Sequence, residues 1–343
     1  MGRCIVLLAI CFLATELVSA AEAPSPLTRL LEGELARIQA KSGIYVKHLR
    51  SGEEAMVRAD EPFESASTIK LATLVLAYQM ADANTLKLDE RVEITPAALR
   101  GGSGIYRFKD VGLRPTLRDI LTEMVITSDN TATDIMIAKV GGKDKINAFL
   151  RGAGYKVLKQ IHTTGEYFRL EYAAINPKYE KLSDEDVFAL CCADTTIHRL
   201  AVFSDQRKAL IDEAKADSAH PSPVDRNDTS RWFGSASPRE MGRFVEGIES
   251  CTVAKPASCD EMRRMLLAQQ AGNTKIPHYL TVPVGHKTGE TTGVTNDVGV
   301  IYSGTGPIVI AFYNMSMTGT RADTEDAMGR VAQSVVDYFD GHH

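Results

Sequence analysis

Ser67-Thr68-Ile69-Lys70 sets a hydroxyl and an amine three residues apart. On a helix that spacing is one turn, so the two side chains share a face. A serine is a weak nucleophile until a base takes its proton. A lysine becomes that base when its amine is desolvated and near other cations, which lowers its pKa. Starting a helix at Ser67 also aims backbone N–H groups at negative charge developing on a carbonyl oxygen. Alone, the pair is better read as a capped helix with an exposed lysine, since both residue types are common.

Two further groups change that balance. Ser128-Asp129-Asn130 falls between two helical segments. There Ser128 can pass a proton to a leaving nitrogen, and Asn130 offers a donor and an acceptor to a substrate amide. Asp129 would support the loop from within. All three types also make good helix N-caps. Lys287-Thr288-Gly289 falls on a late strand. Lys287 supplies positive charge beside the nucleophile, the Thr288 hydroxyl can bind a carboxylate, and Gly289 lets a substrate approach the backbone. Side chains alternate on a strand, so Lys287 and Thr288 face opposite sides unless the edge is twisted or bulged. The plainer reading is an edge strand with an exposed lysine. Lys41-Ser42-Gly43 repeats the third pattern ahead of the nucleophile and reads as a helix C-cap.

The elements that must hold these groups follow from periodicity. Leu27, Leu30, Leu31, Leu35 and Ile38 predict a helix over 26–41, and 44–49 and 55–58 predict strands around a Ser51-Gly52 turn. Helices are expected at 67–81, 117–126, 131–140, 143–151, 238–248 and 260–271. Strands return at 280–288, 296–303 and 307–313, with Gly304-Thr305-Gly306 as a hairpin turn, and 323–339 closes with a helix. This is an α+β fold: an antiparallel sheet built from both chain ends and flanked by helices, with an all-helical subdomain inserted. The α/β part takes 24–66 and 277–343, and the helical part takes 67–276. Residues 178–231 form a long polar insertion, with 217–229 expected as a surface loop.

Arg3, the apolar run from Ile5 to Ala14 and the small residues around Ser19-Ala20 have the layout of a cleavable secretory signal over 1–20. The mature chain is then expected in the periplasm or outside the cell, with no stable membrane insertion. A 44% hydrophobic content suffices for a real core in the catalytic domain, 24–343. The net charge of -5, with both signs interspersed, argues against nucleic acid as a partner and favours a small polar substrate. Cys251 and Cys259 form a local disulfide or remain two free thiols; Cys191 and Cys192 are expected as buried free thiols. The eight histidines show no metal-ligand spacing, so no zinc is expected.

Taken in order on these elements, the three groups resemble the signature set of class A β-lactamases and penicillin-binding proteins. Ser237-Pro238-Arg239-Glu240-Met241 and Thr295-Asn296-Asp297-Val298 are similar to class A enzymes as well. The resemblance implies a bacterial enzyme that hydrolyses the β-lactam ring through a Ser67 acyl-enzyme and confers antibiotic resistance. It implies Lys70 as base, Ser128 as proton donor, and N–H groups of Ser67 and Glu290 as the oxyanion hole. Asn130, Lys287, Thr288 and Gly289 would bind substrate, with no cofactor and the protein a monomer.

Releasing the acyl group requires a glutamate to activate water. The family places it in a loop of the form Arg-x-Glu-x-x-Leu-Asn. Arg169-Leu170-Glu171-Tyr172-Ala173-Ala174-Ile175-Asn176 comes close, with one residue too many. Glu171 is therefore the expected deacylation base or a solvated helix residue, and Glu166 is a second candidate. The alternative functions are a D-alanyl-D-alanine peptidase or transpeptidase, which penicillin only traps, and a non-catalytic sensor that uses Ser67 for capture.

Overall fold

A computed structural model of the chain describes residues 24–192, 204–219, 225 and 227–341. The expected signal segment lies outside the described residues. Helix α1 (Pro26–Leu35) starts on Ser25, whose hydroxyl accepts the Thr28 N–H at 3.1 Å, and buries Leu27, Leu31 and Leu35. It stops short of the expected end because Lys41 already belongs to strand β1 (Lys41–His48). Lys41-Ser42-Gly43 is thus no helix cap. The Ser42 hydroxyl donates to Asn314 Oδ1 at 2.7 Å, and a Cβ on Gly43 would lie 2.6 Å from the Phe63 ring. Tertiary pairing has overridden a local cap signal.

After the turn at Gly52, β2 (Glu54–Val57) runs back along β1. Late in the chain come β6 (Val284–Thr291), β7 (Val294–Ser303) and β8 (Gly306–Met315). Together they form an antiparallel sheet in the order β2-β1-β8-β7-β6. Both chain ends build it, as expected, and β6, which carries Lys287, is an edge. Helix α11 (Arg321–Gly341) packs with α1 against one face through Val331, Val335 and Phe339.

The helical body covers the other face. Helix α2 (Lys70–Asp82) is buried at every residue from Lys70 to Tyr78, as befits a core helix with no polar side. Around it stand α3 (Leu117–Ile126), α4 (Asn130–Lys139), α5 (Gly142–Gly152) and α6 (Thr164–Ile175). Helices α9 (Pro238–Glu249) and α10 (Pro256–Leu267) complete the body. A small sheet that the sequence patterns do not announce, β3 (Phe63–Glu64), β5 (Gly234–Ala236) and β4 (Lys159–Gln160), ties it to the nucleophile region.

Within the polar insertion, α7 (Asp184–Cys191) and α8 (Asp205–Ser218) enclose a small core of Tyr179, Ala189, Leu190, Ile211 and Ala214. The region is therefore partly helical, α8 runs two residues into the segment expected as a surface loop at 217–229, and the rest of that segment falls partly outside the described residues. Cys251 and Cys259 are disulfide-bonded with Cα atoms 5.6 Å apart, joining the end of α9 to α10. Cys191 and Cys192 are free thiols, Cys192 buried. Among the described residues no helix is long and apolar enough to cross a membrane.

Candidate active site

From Phe63 to Tyr78 every residue is buried except Ser67. Ser67 sits in a 3₁₀ turn (Ala66–Ile69) that leads into α2, and Lys70 is the first residue of that helix. The turn starts on Ala66 with φ of 44°, the left-handed region that costs a non-glycine residue about 1–3 kcal/mol. Neighbours hold it there. The Ser65 N–H donates to Gly234 O at 2.9 Å, and the Asn296 Nδ2 of β7 donates to Glu64 O at 2.9 Å and Ser65 O at 3.2 Å.

Gly289 of β6 pairs with Asn296 and runs against the same turn. A Cβ on Gly289 would lie 2.6 Å from Ser65 O and 3.1 Å from Ser67 N. The glycine is needed for a close approach within the protein rather than by a substrate. We predict that Gly289→Ala pushes β6 off the turn and slows covalent modification of Ser67 about a hundredfold, the typical cost of an ångström of misplacement. An unchanged rate of labelling by penicillin would refute this.

Lys70 is completely buried. Its Nζ donates to Ser128 O at 2.6 Å, Ser128 Oγ at 3.2 Å and Asn130 Oδ1 at 2.9 Å. Burial pushes its pKa down to about 7, against the pull of Asp129 and Asp134. Lys287, also fully buried, donates from Nζ to Ser128 Oγ at 3.0 Å and Thr288 O at 2.9 Å. Burial and the positive charges of Lys70 and Lys275 hold its pKa well below the lysine range.

Ser128 is therefore bracketed by two amines. A hydroxyl has two acceptor positions and one proton. With both positions taken by lysines, the proton is left for a group in the cavity. Ser128 adopts φ of 56° in the turn between α3 and α4. Asp129 holds that turn from within: its carboxylate accepts the Tyr106 and Ala132 N–H groups, each at 2.8 Å. Asn130 spends its acceptor on Lys70 and donates from Nδ2 to Gly101 O at 2.9 Å. One amide proton remains for a ligand.

Ser67, Asn130 and Glu290 line a cavity of about 550 Å³. Its far wall is Thr164, Tyr167 and Phe168 of α6 with Phe233, and Arg107 and Arg321 add positive charge. Helix α6 is locked in place by Asp134, which accepts the Thr164 N–H at 2.7 Å, the Gly165 N–H at 3.0 Å and Arg100 Nε at 2.7 Å. Arg100 reaches on to Asp184 at 2.7 Å, and Arg169 pairs with the same carboxylate.

The sequence pattern of the Beta-lactamase enzyme family matches this chain over residues 26–339. The chain belongs to that family. Beta-lactamase L2 of Stenotrophomonas maltophilia is 32% identical over 117 residues, 34% of this chain and 38% of that enzyme. The chain thus matches well under half the length of this curated relative. Solved structures agree on the fold. An ancestral class A beta-lactamase superposes with TM-score 0.68 at 20% identity, covering 91% of this chain and 99% of the other. A mutant of PBP-A, solved as its acyl-enzyme complex with penicillin G, gives 0.67 at 18% identity, covering 92% and 96%.

Of the residues expected at this β-lactamase-family site, Ser67, Asn130 and Glu290 line the cavity, and Lys70, Ser128, Asn130 and Lys287 form one hydrogen-bonded cluster. Gly289 packs against the Ser67 turn, and the buried Thr288 points its methyl toward Gly272, outside the lining. The two glutamates are not placed alike. Glu166 is the third residue of α6, where it accepts the Thr163 N–H in a capping box and pairs with Lys143. Burial raises its pKa, but Lys143 and the Thr163 N–H outweigh that and keep it low. Its carboxylate is spent on structure. Glu171 lies one turn beyond Tyr167 and Phe168 on α6 and is not among the residues lining the cavity. Sequence reasoning missed the aromatic wall, Arg107, Arg321 and the Arg100-Asp134-Asp184 brace. Aromatics at helical spacing read as core, and a lone arginine carries no pattern.

Proposed function

We propose that the protein opens β-lactam rings through an acyl-enzyme on Ser67. The observation that carries this reading is the single half-buried position in a buried run: Ser67 lines the cavity, three residues before a fully buried lysine whose pKa lies near 7. Lys70 in its neutral form takes the Ser67 proton, and the Ser67 oxygen bonds to the lactam carbonyl carbon. The oxyanion is held by the N–H groups of Ser67 and Glu290. The C–N bond breaks as Ser128 gives its proton to the ring nitrogen, and Lys70 replenishes Ser128 across 3.2 Å. Water then cleaves the ester, with Glu171 as its base. Lys287 and the remaining Asn130 proton hold the substrate.

Specific observations favour a second reading, a penicillin-trapped peptidase or transpeptidase: Glu166 is spent on a cap, Glu171 lies off the cavity lining, and PBP-A shares the fold. Intact-mass measurement after mixing with penicillin separates the two. A transient adduct with accumulating hydrolysed drug is expected; a persistent adduct of one equivalent would point to the peptidase. The disulfide supports export, as thiols in the cytosol stay reduced. The same mass spectrum reads it, since a chain that keeps residues 1–20 in its bacterial host would count against secretion.

Glu171→Gln is expected to slow deacylation at least a hundredfold while acylation changes little. Steady-state turnover equal to the parent's would remove Glu171 from the mechanism.

A further inference from the structure

Glu290 follows Lys287-Thr288-Gly289 on β6, and its side chain lines the cavity that Ser67 faces. Each carboxylate oxygen is held by one cation. Lys275 Nζ donates to Oε1 at 2.6 Å, and Arg321 Nη1 lies 2.9 Å from Oε2. Lys275 is fully buried, with Glu325 at 3.8 Å as its other carboxylate. Arg321, the first residue of α11, also donates from Nη2 to Thr291 O at 2.8 Å. Burial raises the Glu290 pKa, but Lys275 and Arg321 outweigh it and keep the group below the usual carboxylate range. Glu290 is thus charged at neutral pH.

An arginine at a cavity wall suits the ring carboxylate of a penicillin or cephalosporin, and Arg321 lines this cavity, whereas Lys275 is fully buried and outside the lining. The protein's own carboxylate already takes a hydrogen bond from Lys275 and sits in an ion pair with Arg321. Two lysine and arginine charges meet two glutamates, so the corner offers no net positive charge to an anion. Of the further cations, Lys287 is engaged by Ser128 and Thr288, and Arg107 lines the same cavity with the aromatic wall.

We propose that Glu290, held in place by the buried Lys275, is a specificity-determining residue whose side chain competes with the substrate's carboxylate for Arg321. It lowers the site's preference for anionic lactams over lactams that are neutral at that position. The proposal rests on the β-lactam reading for its ligand class, and its test needs no turnover. Glutamine keeps the length of the side chain and an acceptor for Lys275 while removing the charge.

Dissociation constants for a penicillin and its methyl ester are to be measured by calorimetry on Ser67→Ala and on Ser67→Ala/Glu290→Gln. The ratio of acid to ester affinity is expected to rise about tenfold in the double variant, the worth of one freed charge-assisted contact. An unchanged ratio overturns the proposal. Should the double variant not fold, Ser67→Ala/Arg321→Gln gives an independent reading. Because Arg321 is already occupied, acid affinity is expected to fall less than twofold, and a tenfold fall would overturn the competition. Failure of the parent to form a Ser67 adduct would sink the activity instead, while acid and ester binding would still report on Glu290.

Discussion

Ser67→Ala is expected to form no covalent adduct with penicillin and to melt within a few degrees of the parent. The hydroxyl lies at the one half-buried position of a buried run and makes no hydrogen bond among the described residues. Removing it therefore leaves no cavity and orphans no partner, the two common sources of a large loss in stability. The turn itself is held by backbone groups and by Asn296, none of which changes. What disappears is the bond-forming atom, and no nearby group replaces it, since the amines of Lys70 and Lys287 are buried and held by Ser128. Intact mass and calorimetry read the two halves of the prediction. An adduct on the alanine variant would show that another residue is the nucleophile.

Lys70→Met is expected to slow acylation by about 10²–10⁴-fold, the usual contribution of a positioned base. The parent's pH profile gives the matching signature. Only the neutral amine can accept a proton, and burial places its pKa at about 7. Below that value the ammonium dominates, so acylation falls about tenfold per pH unit; above it the rate levels off. The methionine variant should be flat across the same range and somewhat less stable than the parent, by about 1–3 kcal/mol, because the buried Ser128 O and Asn130 Oδ1 lose their donor. Single-turnover rates from about pH 5 to about pH 9 decide the matter. A parent rate independent of pH, or a methionine variant that keeps the bend, would assign the base elsewhere.

The reach of the sequence can be judged at particular residues. Ser67, Lys70, Ser128 and Lys287 were legible because each motif lay on an element whose period or flanking turns were plain, and helix α3 begins and ends where its apolar pattern does. Lys41-Ser42-Gly43 misled because the local composition of a cap is also that of a strand entrance. Only its partner, with Lys41 opposite Met315, distinguishes them. Helices α7 and α8 were hidden because their first turns are charged: Asp186 and Glu185 are turned toward Arg207, a contact no periodicity reports. Tyr167, Phe168 and Phe233 carry the far wall, yet in sequence they are indistinguishable from core aromatics. Glu290 was visible only for its backbone, and its charge acquired meaning from Lys275 and Arg321, which are distant in sequence.

The pairing of β1 with β8 also sets an order of events during synthesis. The Ser42–Asn314 hydrogen bond joins residues 272 positions apart, so the first long strand emerges with only the short β2 beside it and waits for its other neighbour until nearly the whole chain has been made. The pairs α3 with α4 and α4 with α5 are near neighbours in sequence, and local contacts of that kind close early. The helical body can therefore gather before the sheet does. Gly289 and Asn296, which fix the turn carrying Ser67, belong to the late strands. A growing chain thus holds its nucleophile and its lysine for most of its synthesis without the frame that aligns them, and competence arrives only when the last strands zip into place.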